Sequence, residues 1–293
     1  MTSSRSKSVA LARAEVAALL ADCAVELPAG GPLSEQKGVF WTSLAEEFLE
    51  QLERRAPRLG YTERIDVLEP APAPTGRHGN ELIRWKKAWY AVTPVWEQDE
   101  HELRESSPDR RMFYLLETDG AVVPAPGYRG DGSATGPKAL PVHDARLLLN
   151  LVYRPDASDL LDPFAGAGGI VYEASRNGYR VSSMDIEPRI APGLESFGSR
   201  HVVGDAAAMP FEDGTFTAIA TELPYEVRDA AVLERWVSEI IRVAAPGARC
   251  AIMCGADQAT VIEAALARRQ ITASHSEPVH RRGTAVAVIV FVA

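Results

Sequence analysis

Four short segments of the chain carry side chains that can bind a charged, planar ligand and act on it. The first is Asp162-Pro163-Phe164-Ala165-Gly166-Ala167-Gly168-Gly169, a carboxylate followed by a glycine-rich turn. Glycines at such a turn let the chain reverse tightly and let a ligand approach the backbone. No Lys-Ser/Thr pair follows them, which argues against a phosphate-cradling loop. The second segment is Met184-Asp185-Ile186-Glu187. A carboxylate about 20 residues beyond a glycine turn can accept hydrogen bonds from a ribose diol. The third is Gly204-Asp205-Ala206, whose Asp can accept from the amino group of an adenine. The fourth is Thr221-Glu222-Leu223-Pro224-Tyr225. Glu222 can hold an N–H group or act as a general base. Tyr225 can stack on a flat acceptor or simply cover the ligand. Taken singly, each segment also reads as a plain turn or strand end; their coincidence singles them out.

These segments need strands whose C-terminal ends lie side by side, because open α/β sheets bind ligands there. The C-terminal half supplies the pattern. A helix is predicted from Asp144, as its N-cap, through Leu151. Strands are predicted at Asp159–Leu161, Arg180–Met184, His201–Val203, Thr217–Thr221 and Ala248–Met253. Helices are predicted near Gly169–Asn177, Ala230–Val243 and Gln258–Arg268, with Gly178 at the C′ position of the first. Two more strands, Ile271–Ser276 and Ala285–Val292, close the chain. Alternating strands and helices imply a mostly parallel sheet with helices on both faces.

The N-terminal part reads differently. Helices are predicted at Val9–Leu20 and Thr42–Arg55, the second with Leu44, Phe48 and Leu52 on one face. Met112–Leu116 reads as a strand. Trp41, Trp85, Trp89 and Trp96 read first as core and second as a stacking surface for a flat substrate. The breaker-rich stretch Pro124–Pro137 reads as a linker or loop. The expected organisation is therefore an accessory or substrate-binding α+β region over 1–137 and a ligand-binding domain over 138–293.

Composition narrows the function classes. The chain has 293 residues and a net charge of −9. Neither half is basic, which argues against a grip on long nucleic acid without excluding a local patch. No apolar run approaches the ~18 residues of a membrane span. The polar start, Met1 to Lys7, lacks a signal-peptide core, so a cytoplasmic location is expected. Cys23, Cys250 and Cys254 lack close metal-ligand spacing, and Cys250 and Cys254 read as buried hydrophobes; no metal is expected.

Over roughly residues 138–293 the sequence resembles the Rossmann-like S-adenosylmethionine-dependent methyltransferases. Within them it resembles the THUMP-associated enzymes that modify the 2-amino group of guanine in tRNA. Leu160–Ile170 is similar to their first motif, and Gly204–Ile219 to their middle region. His280-Arg281-Arg282 is similar to their ending. The resemblance implies that Asp162, Gly166 and Gly168 meet the methionine end of the cofactor. It implies that Asp185 holds the ribose and Asp205 the adenine. Phe164, Ala165, Ile186 and Ala206 complete the expected cofactor-binding set, with Glu222 at its border. Glu222, Pro224 and Tyr225 are the expected catalytic residues.

Two departures stand out. The family has Asp-Pro-Pro-Tyr, or Asn or Ser first, where this chain has Glu222-Leu223-Pro224-Tyr225. Glu222 keeps the acceptor one methylene further out, and Leu223 removes a ring that fixes the backbone. Glu226 stands where the family commonly has Gly, and residues 1–137 show no recognisable THUMP module. His143 and His280 are weaker candidates for the cleft. Methyl transfer to a nucleobase nitrogen, in RNA such as tRNA, leads. Methylation of a small metabolite and catalytically impaired cofactor binding are the alternatives. Oligomeric state is left open.

Overall fold

A computed structural model describes residues 2–4, 9–21, 39–40, 45–76, 79, 81–85, 87–107, 111–126, 140–281 and 284–293. The chain divides into two compact units, Met1–Glu100 and His101–Ala293.

The first unit is α+β, as expected. Its elements are β1 (Thr2–Ser4), α1 (Val9–Leu19), β2 (Val39–Phe40), α2 (Glu46–Arg55), β3 (Thr62–Ala71), β4 (Leu82–Trp85) and β5 (Ala88–Glu97). The strands form one antiparallel sheet in the order β2-β1-β3-β5-β4. Helix α1 buries Leu11, Ala12, Val16 and Leu19, and its buried Glu15 accepts from the amides of Gly60 and Tyr61. In α2, Leu52 is buried; Leu44 and Trp41 lie outside the described residues. Trp89 and Trp96 are half-buried in β5, which favours the packing reading over an open stacking surface.

The second unit begins earlier than the sequence suggests. Its elements are α3 (Glu100–Glu105), β6 (Met112–Leu116), β7 (Val122–Pro126), α4 (Val142–Leu151), β8 (Asp159–Asp162), α5 (Gly169–Arg176), β9 (Arg180–Asp185), α6 (Ala191–Ser196), β10 (Arg200–Val203), β11 (Phe216–Glu222), α7 (Ala230–Val243), β12 (Ala244–Gly255), α8 (Ala256–Ala267), β13 (His275–Arg281) and β14 (Thr284–Val292). Strands β6 and β7 pair as a hairpin, so Pro124–Pro126 is strand rather than linker; residues 127–139 are outside the described set. The hairpin is anchored in this unit. Arg189 reaches the carbonyl of Leu116 and the carboxylate of Glu117 at 3.3 and 2.9 Å. The Phe113 ring lies 5.9 Å from that of Phe197. The division therefore falls after Glu100 instead of after residue 137.

The main sheet has seven strands in the order β10-β9-β8-β11-β12-β14-β13. The first five run parallel; β14 runs antiparallel to β12 and to β13. This is the mostly parallel α/β sheet that the sequence predicts, with its last strand, β14, antiparallel to both neighbours. Burial explains the strand sequences: Leu160, Leu161, Ile219, Ala220, Cys250, Ile252 and Ile289 are wholly buried between helical layers. Helix α7 shows why its pattern was readable. Leu233, Trp236, Val237, Ile240 and Val243 form its buried face, and Asp229 caps it through the amides of Ala231 and Val232.

Three expectations need correction. Helix α4 starts at Val142 behind Pro141, so Asp144 is not its N-cap but a buried first-turn residue. Residues 271–274 are not strand. Gln270 takes a left-handed φ of 61°, and the amide of Ile271 folds back on the carbonyl of Leu266, so the chain enters the sheet only at His275. Helix α6 was not foreseen, because Ala191-Pro-Gly-Leu-Glu-Ser196 carries both helix breakers.

Gly193 in α6 is required by packing. A Cβ there would lie 2.3 Å from Cε2 of the buried Phe113 ring. Gly193→Ala is expected to lower stability by about 1–3 kcal/mol. Urea unfolding of Gly193→Ala, Phe113→Leu and the double variant checks this. The double variant should be less destabilised than the sum of the singles; simple additivity would show that the contact does not carry the effect.

Candidate active site

Strand register brings the four segments together. Leu161 of β8 pairs with Ile219 of β11, and Asp162 pairs with Ser183 of β9. Asp185 in turn pairs with Val203 of β10. The C-terminal ends of these four adjacent strands therefore form one edge, and every expected site residue follows from it.

Asp162 ends β8 and is 1% exposed. Its Oδ1 accepts from the Thr221 hydroxyl at 2.8 Å and from the amide of Phe164 at 3.3 Å. Both bonds fall on one oxygen, which leaves Oδ2 for a ligand. Burial pushes the carboxyl up to about 7, against the pull of those two bonds; the charges of Asp185 and Glu222 raise it further. Those through-space effects place Asp185 and Glu222 in the same electrostatic neighbourhood.

The glycine turn is built on Asp185. The amide of Gly166 donates to Asp185 Oδ2 at 2.8 Å, and that of Glu187 to Oδ1 at 3.0 Å. A carboxylate has about four lone-pair sites, so two remain for hydroxyl donors. Gly166 and Gly168 adopt φ of 49° and 74°, the left-handed region, and Gly168 precedes the first turn of α5. Ala165 is fixed to β9 by a 3.0 Å bond from its amide to the carbonyl of Met184. Phe164 stands edge-on to Trp236 at 4.7 Å.

Next to Asp185, the Ile186 side chain is 72% exposed. That is a large apolar surface left in water beside polar acceptors, as a flat ligand face would need. The amide of Gly204 donates to the carbonyl of Asp185 at 2.9 Å, which sets Asp205 beside it. Asp205 is exposed, and Ala206 is buried beneath it. Cationic, ribose-like and planar groups thus each have a matching partner along this edge.

The fourth segment ends β11. The Tyr225 hydroxyl donates to Glu222 Oε1, fixing carboxylate and ring as one unit. Leu223 is buried, and its amide donates to the carbonyl of Met253 at 2.8 Å. A side chain not singled out in the sequence, Gln258 of α8, donates to the carbonyls of Pro224 at 2.9 Å and Val227 at 2.6 Å. Its signal was present: Gly255-Ala-Asp-Gln258 is a helix start with an amide at the third helical position. Thr221 and Arg111 were also missed. Arg111 lies over the Tyr172 ring at 4.4 Å and reaches the carbonyl of Gly168 at 3.4 Å.

Other candidates are elsewhere or undescribed. His143 sits on α4 beside Asp144, at 3.7 Å. The side chain of His280 and all of Arg282 lie outside the described residues. Cys250 and Cys254 are buried thiols, Cys254 pushed up to about 12 by burial, which fits their reading as apolar fillers. Among the described residues no cluster could hold a metal ion, and no helix is long and apolar enough to cross a membrane.

Comparison with known proteins fits this geometry. The family model described as "Methyltransferase domain" matches residues 161–252, from the end of β8 into β12. Residues 161–252 are thus similar to a methyltransferase domain. Over 108 residues it is 36% identical to the tRNA (guanine(10)-N2)-dimethyltransferase of Pyrococcus abyssi, covering 34% of this chain and 32% of that protein. Over 106 residues it is 36% identical to norajmaline N-methyltransferase of Rauvolfia serpentina, covering 32% and 35%. The chain thus spans about a third of the length of these curated relatives. Among solved structures, TrmN from Thermus thermophilus is similar with a TM-score of 0.48 and 17% identity, covering 70% of this chain and 56% of that one.

The raised carboxyl of Asp162 has a measurable consequence. In the unfolded chain it ionises near 3.8, and in the folded protein near 7. Its protonated form thus supports folding fully below about pH 4, and that support is lost as pH rises to about 7. Asp162→Asn keeps an acceptor for Thr221 and removes the ionisation. The variant should gain stability over wild type progressively from pH 4 to 7, by up to about 4 kcal/mol, and stay constant above. Urea titrations of both proteins without ligand check this; a pH-independent difference would refute it.

Proposed function

We propose that this chain transfers a methyl group from S-adenosyl-L-methionine to a nitrogen of a nucleobase in an RNA such as tRNA, acting in the cytoplasm. One observation carries the reading: Glu222 and Tyr225 form a joined acceptor-and-ring unit one residue beyond Thr221, which holds Asp162. The donor side and the acceptor side of the cleft are thereby linked through a single strand end. Likeness to the tRNA-modifying relative supports the acceptor class.

The bound cofactor supplies an electrophilic methyl group on a sulfonium. Asp162 Oδ2 would receive its ammonium group, and the backbone of Phe164, Ala165, Gly166 and Gly168 would line its methionine end. Asp185 would accept from the ribose hydroxyls. Ile186 would meet the adenine face, and Asp205 with Ala206 its edge. On the acceptor side, Tyr225 stacks on the base, Pro224 keeps the turn narrow, and Glu222 takes an N–H of the target nitrogen. This aims the nitrogen lone pair at the methyl carbon. Transfer of that methyl group would leave positive charge on the acceptor nitrogen. Glu222 stabilises that charge and accepts the departing proton. The first unit, Met1–Glu100, is the accessory region.

A second reading, methylation of a small metabolite, is favoured by the charge pattern. Arg154, Arg180, Arg189, Arg228, Arg242 and Arg268 are each paired with a carboxylate of this chain. Norajmaline N-methyltransferase is a relative of that chemical type.

Methyl-labelled cofactor, unmodified tRNA and the purified protein test the proposal. Label should enter RNA, and Glu222→Ala should reduce the rate on the order of a hundredfold or more while retaining S-adenosylhomocysteine binding. A protein that binds the cofactor and labels no tRNA would set the RNA reading aside in favour of a metabolite or of an impaired enzyme. Cofactor affinity, measured by calorimetry from pH 5.5 to 8, should rise about tenfold per unit until Asp162 ionises near 7, then level off. A flat profile would remove Asp162 from the ammonium site.

A further inference from the structure

The loop Leu223–Val227 has lost the ring that stiffens it in the resembling family, so something else must hold its backbone. Leu223 retains an amide that a proline would lack, and that amide is used: it donates to the carbonyl of Met253 at 2.8 Å. The remaining restraint comes from one side chain. Gln258 is 1% exposed and makes three bonds. Its Oε1 accepts from the amide of Gly255 at 2.8 Å, closing the first turn of α8. Its Nε2 gives one hydrogen to the carbonyl of Pro224 at 2.9 Å and the other to that of Val227 at 2.6 Å. Every donor of the amide is therefore used, and both lead into the loop that carries Tyr225.

We propose that Gln258 is the positioning residue of the acceptor loop: it ties Pro224 and Val227 to the start of α8 and so sets the Glu222–Tyr225 unit. This rests on the reading of Glu222 and Tyr225 as the acceptor side. The two functions of the amide are separable. The oxygen serves the helix, and the nitrogen serves the loop. A helix cap alone requires only the oxygen, so a carboxylate with the same reach would cap α8 as well. The pair of donors is explained by the loop. Tethering by buried hydrogen bonds is directional, and an error of about 1 Å at the reacting groups can lower a rate on the order of a hundredfold. Neither Glu222 nor Tyr225 is touched by Gln258 in this account; it acts on them through the main chain between Pro224 and Val227.

Gln258→Glu isolates the tether. It keeps an oxygen for the Gly255 amide and sets the other against the carbonyls of Pro224 and Val227, so the pair of amide donors to the loop is lost. Hydrogen exchange is measured on the S-adenosylhomocysteine complexes of wild type and variant, together with turnover on unmodified tRNA. The expected result has three parts. Peptides covering 223–228 exchange at least tenfold faster in the variant, while those covering 162–170 keep wild-type protection. S-adenosylhomocysteine affinity stays within about twofold. On tRNA, kcat falls at least tenfold with KM for the cofactor unchanged. Gln258→Asn, whose amide is one methylene too short to reach, should behave like Gln258→Glu. Unchanged exchange over 223–228 overturns the proposal. So does loss of protection throughout the domain in both variants, which makes Gln258 a general structural residue. So does a wild-type kcat in the variant when tRNA is a substrate. If wild type fails to methylate tRNA, the proposed acceptor falls, and the exchange comparison still decides the tether because it needs no acceptor.

Discussion

A carboxylate almost wholly removed from water stands at the end of the central strand, and the rest of the site is arranged around keeping it there. Burying Asp162 is unfavourable unless its oxygens are satisfied. The protein supplies one hydroxyl, from Thr221 on β11, and one amide, from Phe164 at the start of the glycine turn. These two bonds fix three things at once. They lock the relative height of β8 and β11, which brings Glu222 to the same edge. They start the turn that carries Gly166 and Gly168. They leave the second oxygen outside both bonds. The charges of Asp185 and Glu222 work against ionisation of Asp162, so a cationic group beside that oxygen would be favourable.

Around this core the protein adds a layer that a minimal α/β sheet does not need. The β6–β7 hairpin seats Phe113 against Gly193 of α6, and Arg111 reaches across to the carbonyl of Gly168. The Arg111 guanidinium also lies near the rings of Tyr172 and Phe197, which stand edge-on to each other at 5.2 Å. Support of the glycine turn therefore comes partly from residues well before the sheet in the sequence. This is why a boundary placed at the proline- and glycine-rich stretch after residue 123 misses the physical one. Breaker residues mark where the chain is irregular, whereas a compact unit is decided by what packs on what.

The sheet and its ligand edge were legible because their signals are local. Apolar runs such as Leu160-Leu161 and Ile219-Ala220 end in polar residues, and helix α7 has both a cap and a 3.6-residue apolar stripe. Asp185, Asp205 and Glu222 could be named from those strand ends, and Asp162 from the resemblance of its segment to a known first motif; the structure sets all four at the ends of adjacent strands. What could not be read was anything that depends on partners distant in sequence. Gln258 meets carbonyls 31 and 34 positions earlier, and Thr221 meets a carboxylate 59 positions earlier. Helix α6 escaped because its propensity is poor and its existence depends on tertiary contacts with β6. The reading of Asp144 as a cap failed because a proline three residues before it begins the helix first.

The same electrostatics bear on how an acceptor is chosen. The cleft edge is lined with carboxylates, and Glu226 adds another, exposed, just past the acceptor loop. A phosphate chain gains little from such a surface, and among the described residues six arginines of this unit are engaged with carboxylates of the same chain. Under the proposed function, recognition then rests on the acceptor group itself, through stacking on Tyr225 and a hydrogen bond to Glu222. That kind of site discriminates by shape and by N–H donors, and it gains little from long-range attraction. It suits an extruded base or a free planar amine about equally. The two differ in what must hold the remainder of the molecule, and that decision lies with surfaces outside the sheet edge.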